Sequence, residues 1–170
     1  MRAQAAELIG AEPDDVAFIP NTATALSWVV NGIRWTPGDH VVTLPHEFPN
    51  NEYCARVLEQ RGVKYTQTEV PEGPFSVDKF LAELTDRTKL VILSSVNYSS
   101  GLRLPLKEIG PALRERNVLF FLDGTQSVGA LEMDIKAAQP DVLAVHGYKW
   151  LLCPMGIGFA YVRAQVREWL

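Results

Sequence analysis

Cysteine is scarce. Cys54 and Cys153 are the two in 170 residues, too few for a disulfide framework or a zinc cluster. Cys54 falls in a helical pattern and Cys153 beside a glycine loop, and both are expected to be small buried hydrophobes. Basic runs are missing as well: 16 Lys and Arg face 20 Asp and Glu, for a net charge of −4, which leaves no electrostatic footprint for nucleic acid. No apolar stretch approaches the roughly 20 residues that span a bilayer, so no membrane association is expected. The opening Met1-Arg-Ala-Gln-Ala-Ala-Glu-Leu8 lacks the apolar core of a signal peptide, and a cytoplasmic location is the resulting expectation. His40, His46 and His146 are isolated, without metal-ligand spacing; no metal is expected, and His40 is placed at the surface. No Gly-x-Gly-x-x-Gly follows the first strand, which argues against a dinucleotide-binding domain.

What is present is an alternation. Short β-rich runs at Val16–Ile19, His40–Leu44, Lys64–Thr68, Leu90–Ser95, Val118–Leu122, Val142–Val145 and Gly158–Val162 are separated by helical patterns at Thr22–Ile33, Asn51–Arg61, Ser76–Leu84 and Leu106–Arg116. Such alternation predicts an α/β fold with a mostly parallel sheet and helices on both faces. Leu90–Ser95 and Val118–Leu122 are apolar at consecutive positions, as strands covered on both faces require. Gly62 supplies a helix stop, Trp35-Thr-Pro-Gly-Asp39 and Pro71-Glu-Gly-Pro74 read as turn and loop, and Ser76 reads as a helix cap. About a dozen residues separate Val145 from Gly158, too few for a comfortable parallel crossover. The last strand is therefore expected to return antiparallel, giving a mixed sheet. The chain, residues 1–170, reads as one domain.

Ligands of open α/β sheets collect at the carboxyl ends of the strands, and several polar residues stand there. Asp123 ends the fifth strand. Asn21-Thr-Ala-Thr24 opens a helix after the first strand and offers free N–H groups and hydroxyls to an anion. Phe48 follows the second strand and Asn97-Tyr98 the fourth. Lys149, between Tyr148 and Trp150, follows the sixth. Its flanking rings predict a poorly solvated amine, with the neutral, nucleophilic form favoured. Each has a plainer reading: Asp123 as an N-cap, Thr22 and Thr24 as helix caps, Phe48 as core, Asn50 and Asn51 as turn and cap residues, Lys149 as a surface lysine. Jointly, an amine, an acid, an anion cradle and a flat ring meet the needs of pyridoxal 5′-phosphate.

Asp123-Gly-Thr-Gln-Ser-Val-Gly129 and Tyr148-Lys149-Trp150 with Pro154-Met-Gly-Ile-Gly158, spaced 26 residues from Asp123 to Lys149, resemble the class V aminotransferase family of pyridoxal-phosphate enzymes. That family includes cysteine desulfurases, selenocysteine lyases, isopenicillin-epimerase-like proteins and kynureninases. The resemblance implies the large domain of the fold type I transferases, a three-layer arrangement, with the C-terminal small domain absent from these 170 residues. It implies Lys149 as the Schiff-base lysine, Asp123 as partner of the pyridinium nitrogen, and Gln126 as donor to the phenolic oxygen. Thr22 and Ala23 would meet the phosphate through their N–H groups, Tyr148 and, less securely, His146 would add side-chain contacts, and Phe48 would stack on the ring. It further implies an amino-acid substrate, a homodimer, and transferase or lyase chemistry. The chain departs from the desulfurase pattern at Phe48, His146 and Tyr148, while Phe48-Pro and Asn97-Tyr98-x-x-Gly101 are similar to kynureninases. A kynureninase-like C–C hydrolase and a catalytically silent scaffold are therefore the alternatives.

Overall fold

The computed structural model describes residues 1–68 and 75–169; the loop expected at Pro71–Pro74 lies outside them. Seven strands form one sheet: β1 (Val16–Ile19), β2 (His40–Thr43), β3 (Lys64–Gln67), β4 (Thr88–Ser94), β5 (Leu119–Asp123), β6 (Val142–His146) and β7 (Gly158–Val162). Their order is β1-β7-β6-β5-β4-β2-β3. From β3 to β6 all neighbours are parallel. The last strand does return antiparallel, against β6 on one side and β1 on the other. Two reversals in succession leave β1 running with β6, so the carboxyl ends of β1, β2, β4, β5 and β6 share one edge.

Alternate residues of the central strands enter opposite cores, the consequence of a side-chain period of two. Val91 and Leu93 of β4 join Phe120 and Leu122 of β5 on one face, packed with α1 (Arg2–Ile9), α4 (Val77–Ala82), α5 (Leu106–Glu115) and α6 (Ile135–Ala138). Leu90, Ile92 and Phe121 enter the other face, packed with α2 (Thr22–Gly32), α3 (Pro49–Arg56) and α7 (Ala164–Arg167). The result is a three-layer arrangement, helices on both faces of a mixed sheet, as the sequence predicts. Gly110 marks how closely the layers approach: a Cβ there would stand 1.7 Å from the Ala138 carbonyl oxygen.

Several boundaries differ from expectation for local reasons. The helix expected at Asn51–Arg61 begins at Pro49, whose fixed φ suits a first helical position, and after Arg56 it tightens into a 3-10 segment, Val57–Arg61. Gly62 ends it in the left-handed conformation, φ 76°, and Ser76 caps α4 as expected. The helices α1, α6 and α7 add to the expected set. The last two have four residues each, too few to show a period, and α1 buries just Ala6 and Ile9. Cys54 and Cys153 are half-buried rather than buried.

His40 is a clear correction. Rather than lying at the surface it is 1% exposed, because it sits between two parallel neighbours, β3 and β4. Its ring nitrogens bond the Thr88 and Thr66 hydroxyls, each at 2.9 Å. Burial, with Lys64 nearby, lowers its pKa below the ordinary 6.5. The fold thus favours neutral imidazole, and the unfolded chain binds the extra proton. The stability due to His40 is present above pH 6.5 and lost as pH falls through the lowered value. Thermal melts should show this acid-side loss in the unaltered chain and a flatter profile in His40→Gln; parallel profiles would refute it.

Candidate active site

The carboxyl edge of the sheet opens into a cavity of about 470 Å³, within the range of small-molecule and cofactor sites. All eight residues singled out in the sequence line it: Thr22, Ala23, Phe48, Asp123, Gln126, His146, Tyr148 and Lys149. They arrive from four separate strand ends, which accounts for their dispersal along the chain.

At one side stands the first turn of α2. Its cap is Asn21, whose Oδ1 accepts from the Thr24 N–H at 2.9 Å and the Thr24 hydroxyl at 3.1 Å. The capping reading of Thr22 and Thr24 is thus replaced: Asn21 does that work, and Thr22, buried, faces the cavity. The first amides of a helix have no acceptor within it, so Thr22 and Ala23 present N–H groups at the positive end of an eleven-residue helix dipole.

Phe48 precedes Pro49 at the start of α3 and is half-buried rather than core. Tyr98 braces it edge-on, with centroids 5.5 Å apart and planes at 88°. Lys149 Nζ lies 5.8 Å from the Phe48 centroid and 5.6 Å from that of Tyr148. The expectation that Tyr148 and Trp150 enclose the lysine needs correction. Trp150 is 54% exposed and Tyr148 38%, Lys149 is half-buried, and the ring of Phe48, from a distant segment, shares its surroundings.

Asp123, 5% exposed, forms the floor. Burial pushes its carboxyl above the usual carboxylate range, opposed by bonds to Thr125 and the charge of Lys149. Its Oδ1 accepts from the Thr125 N–H at 2.9 Å, and the Thr125 hydroxyl in turn accepts from the His146 N–H at 3.1 Å. The Asx-type bond is real, so Asp123 ends its strand as a cap does, yet it still faces the cavity. Burial lowers the pKa of His146, Asp123 opposes, and Lys149 adds to the lowering. Its Nε2 is buried with no partner among the described residues, an open hydrogen-bonding position on the wall.

Sequence reasoning missed Ser94 and Thr125 in the lining and Glu47 and Asn51 beneath it. Glu47 and Asn51 are 3% and 1% exposed. Along the chain Asn51 reads as a turn or cap residue, and no local signal marks Glu47, because its burial comes from contacts with β4. Among the described residues no group of His, Cys, Asp and Glu is arranged to hold a metal, and no helix is long and apolar enough to cross a membrane.

The arrangement brings together an amine, a buried acid, an aromatic face and the free N–H groups of a helix start. Comparison with known proteins gives the family. A cysteine desulfurase of Rickettsia bellii is 34% identical over 98% of this chain and 41% of its own length. The mitochondrial cysteine desulfurase of Drosophila melanogaster is 33% identical over 98% and 37%. Among solved structures, the cysteine desulfurase of Thermococcus onnurineus superposes with a TM-score of 0.89 at 28% identity, covering 96% of this chain and 42% of that one. The cystine C-S lyase C-DES, in complex with cysteine persulfide, gives 0.91 at 28%, covering 99% and 46%. A lysine-to-alanine variant of C-DES carries glycine covalently linked to its pyridoxal-phosphate cofactor. The chain spans about two fifths of the length of the curated relatives it matches. The family model described as aminotransferase class-V matches residues 1–170, and a family dependent on pyridoxal phosphate is what the cavity's chemistry calls for. This chain belongs to the class-V aminotransferase family.

Proposed function

We propose that this chain binds pyridoxal 5′-phosphate through a Schiff base to Lys149 and supports transferase or lyase chemistry on an amino acid. The observation that carries the reading is the shared cavity: Lys149 Nζ stands 5.8 Å from the Phe48 ring in a space also lined by Asp123 and the first turn of α2. The donor set fits the cofactor group by group. Thr22 and Ala23 would hold the phosphate, helped by Tyr148 and by His146 Nε2, which has no partner among the described residues. Gln126 would donate to the phenolic oxygen, Phe48 would lie against the ring, and Asp123 would pair with the ring nitrogen. When bound, the cofactor supplies an electron sink for charge developing at the substrate α-carbon. Lys149 Nζ would be the group that holds the cofactor covalently and, once freed, the base that would take and return a substrate α-proton. Phe48 has no proton to give, so a ring-stacked acid has no part in the chemistry.

L-cysteine is the first substrate to assay, given the relatives. The exposed Trp150, Leu152 and Met155 (Leu152 is 88% exposed) stand on the segment after Lys149, of which Met155 lines the cavity, and offer apolar surface that a second copy would cover; a homodimer is the proposed state. Titration with pyridoxal phosphate should produce a saturable near-visible absorption band, and the same sample should sediment as a dimer. No band at saturating cofactor would refute the assignment of the site, and a monomer would refute the pairing.

A further inference from the structure

Beneath the cavity floor lies a second acid that the chemistry above leaves unused. The chain turns at His46, whose backbone is left-handed (φ 57°), and delivers Glu47 inward. Three donors meet its carboxylate: the Ser94 N–H on Oε1 at 2.8 Å, and the Ser94 hydroxyl at 2.5 Å and Asn51 Nδ2 at 3.0 Å on Oε2. Asn51 Nδ2 also reaches Ser94 Oγ at 3.3 Å. Ser94 pairs in register with Asp123 across β4 and β5 and lines the cavity. Glu47 is therefore tied to the strand neighbour of Asp123.

For stability alone this arrangement is a poor choice. Glu47 forms no ion pair among the described residues, and an unpaired buried acid is costly. Burial pushes its carboxyl up, and the charge of Asp123 adds to that. Two buried acids close enough to feel each other's charge are relieved by positive charge in the space that Asp123 borders. Lys149 is the one lysine lining that space, and the proposed chemistry commits its amine to a covalent bond.

We propose that Glu47 is a positioning residue: it fixes the floor around Asp123 through Ser94 and Asn51, and its charge joins that of Asp123 in selecting a protonated nitrogen heterocycle over an uncharged ring of the same shape. This deepens the cofactor reading above and rests on it. Glu47→Gln removes the charge and keeps the shape. Its new amide can be met by Asn51 Oδ1, which is buried and without a partner among the described residues, so the fold should survive.

The test titrates the full chain with pyridoxal phosphate and with its carbocyclic analogue, in which C–H replaces the ring nitrogen. Glu47→Gln should reduce the preference for the nitrogen compound about tenfold, the scale of one nearby charge partly screened, and Glu47→Asp should restore most of it. An unchanged preference, or equal weakening toward both compounds, overturns the proposal, the latter because it marks a purely structural role. Should Glu47→Gln not fold, Ser94→Ala replaces it: losing the hydroxyl donor destabilises the charged carboxylate, and the preference should fall about threefold. No change there would also overturn the proposal. Binding of neither compound by the unaltered chain would instead sink the cofactor reading itself, a result distinct from the others.

Discussion

Lys149→Ala is expected to abolish covalent retention of pyridoxal phosphate. After borohydride treatment of the cofactor-saturated chain, intact-mass measurement should show one added cofactor in the unaltered protein and none in the variant. The reason is geometric: Lys149 is the lysine of the cavity lining, and its Nζ shares the space of the Phe48 ring. The turn that carries it survives the change, because the Leu152 N–H bonds the Lys149 carbonyl at 3.2 Å, not the side chain. The melt of the cofactor-free protein should therefore move by about 1 kcal/mol at most, the loss reflecting the charge that Lys149 sets against buried Asp123. Lys149→Arg separates charge from nucleophilicity, since guanidinium stays protonated; it should lose the adduct as fully as alanine. Exchange of the α-hydrogen of L-cysteine in heavy water, followed by NMR, should fall by roughly 10²–10⁴, the usual worth of a positioned acid-base group. A borohydride adduct surviving in either variant would assign the amine elsewhere.

Asp123→Asn is expected to move stability and function in opposite directions. In the cofactor-free chain Asp123 is buried, with its carboxyl pushed up by that burial. A carboxyl whose folded pKa is raised contributes stability below its unfolded pKa and loses it as pH rises through the folded value. At neutral pH asparagine should therefore stabilise the empty protein by about 1–2 kcal/mol, the gain shrinking as the solution is acidified. The amide oxygen of the introduced asparagine can still accept from the Thr125 N–H, so the strand end keeps its geometry. The same change removes the charge that would face a protonated ring nitrogen in the proposed complex. α-Hydrogen exchange should drop roughly 10²–10³-fold, the cost of deleting one preorganised electrostatic group. Calorimetry with and without cofactor reads the stability of each state, and the exchange rate reads function. A variant less stable when empty, or equally active when loaded, would contradict the role given to Asp123.

The elements of the site that are legible in the chain share one property: each stands where an apolar run ends. Asp123 closes Leu119–Leu122 and Lys149 follows Val142–His146, so the period of the strands alone puts both at the same sheet edge. Glu47 and His40 are not legible. Both owe their burial to partners 47 and 48 residues away, at Ser94 and Thr88, and nothing adjacent to them in the chain announces that contact. The capping of α2 shows a finer limit. Asn21, Thr22 and Thr24 all carry suitable oxygens, and the extended backbone at Asn21, φ −167° and ψ 167°, selects among them. The surroundings of Lys149 escape a linear reading for a similar reason: adjacency in the chain puts Tyr148 and Trp150 beside it, whereas in a tight turn successive side chains diverge and leave Trp150 exposed.

Hydrophobic period, strand length and the spacing of turns were enough to establish a layered α/β fold, its antiparallel final strand and the sheet edge at which the cavity opens, because these follow from local sterics and from burying apolar faces. The distances across the cavity, the edge-on bracing of Phe48 by Tyr98, the pairing of Ser94 with Asp123 and the buried acid behind it depended on how the strands lie side by side. Register between segments far apart in the chain is a collective outcome of packing, and a linear reading carries no measure of it.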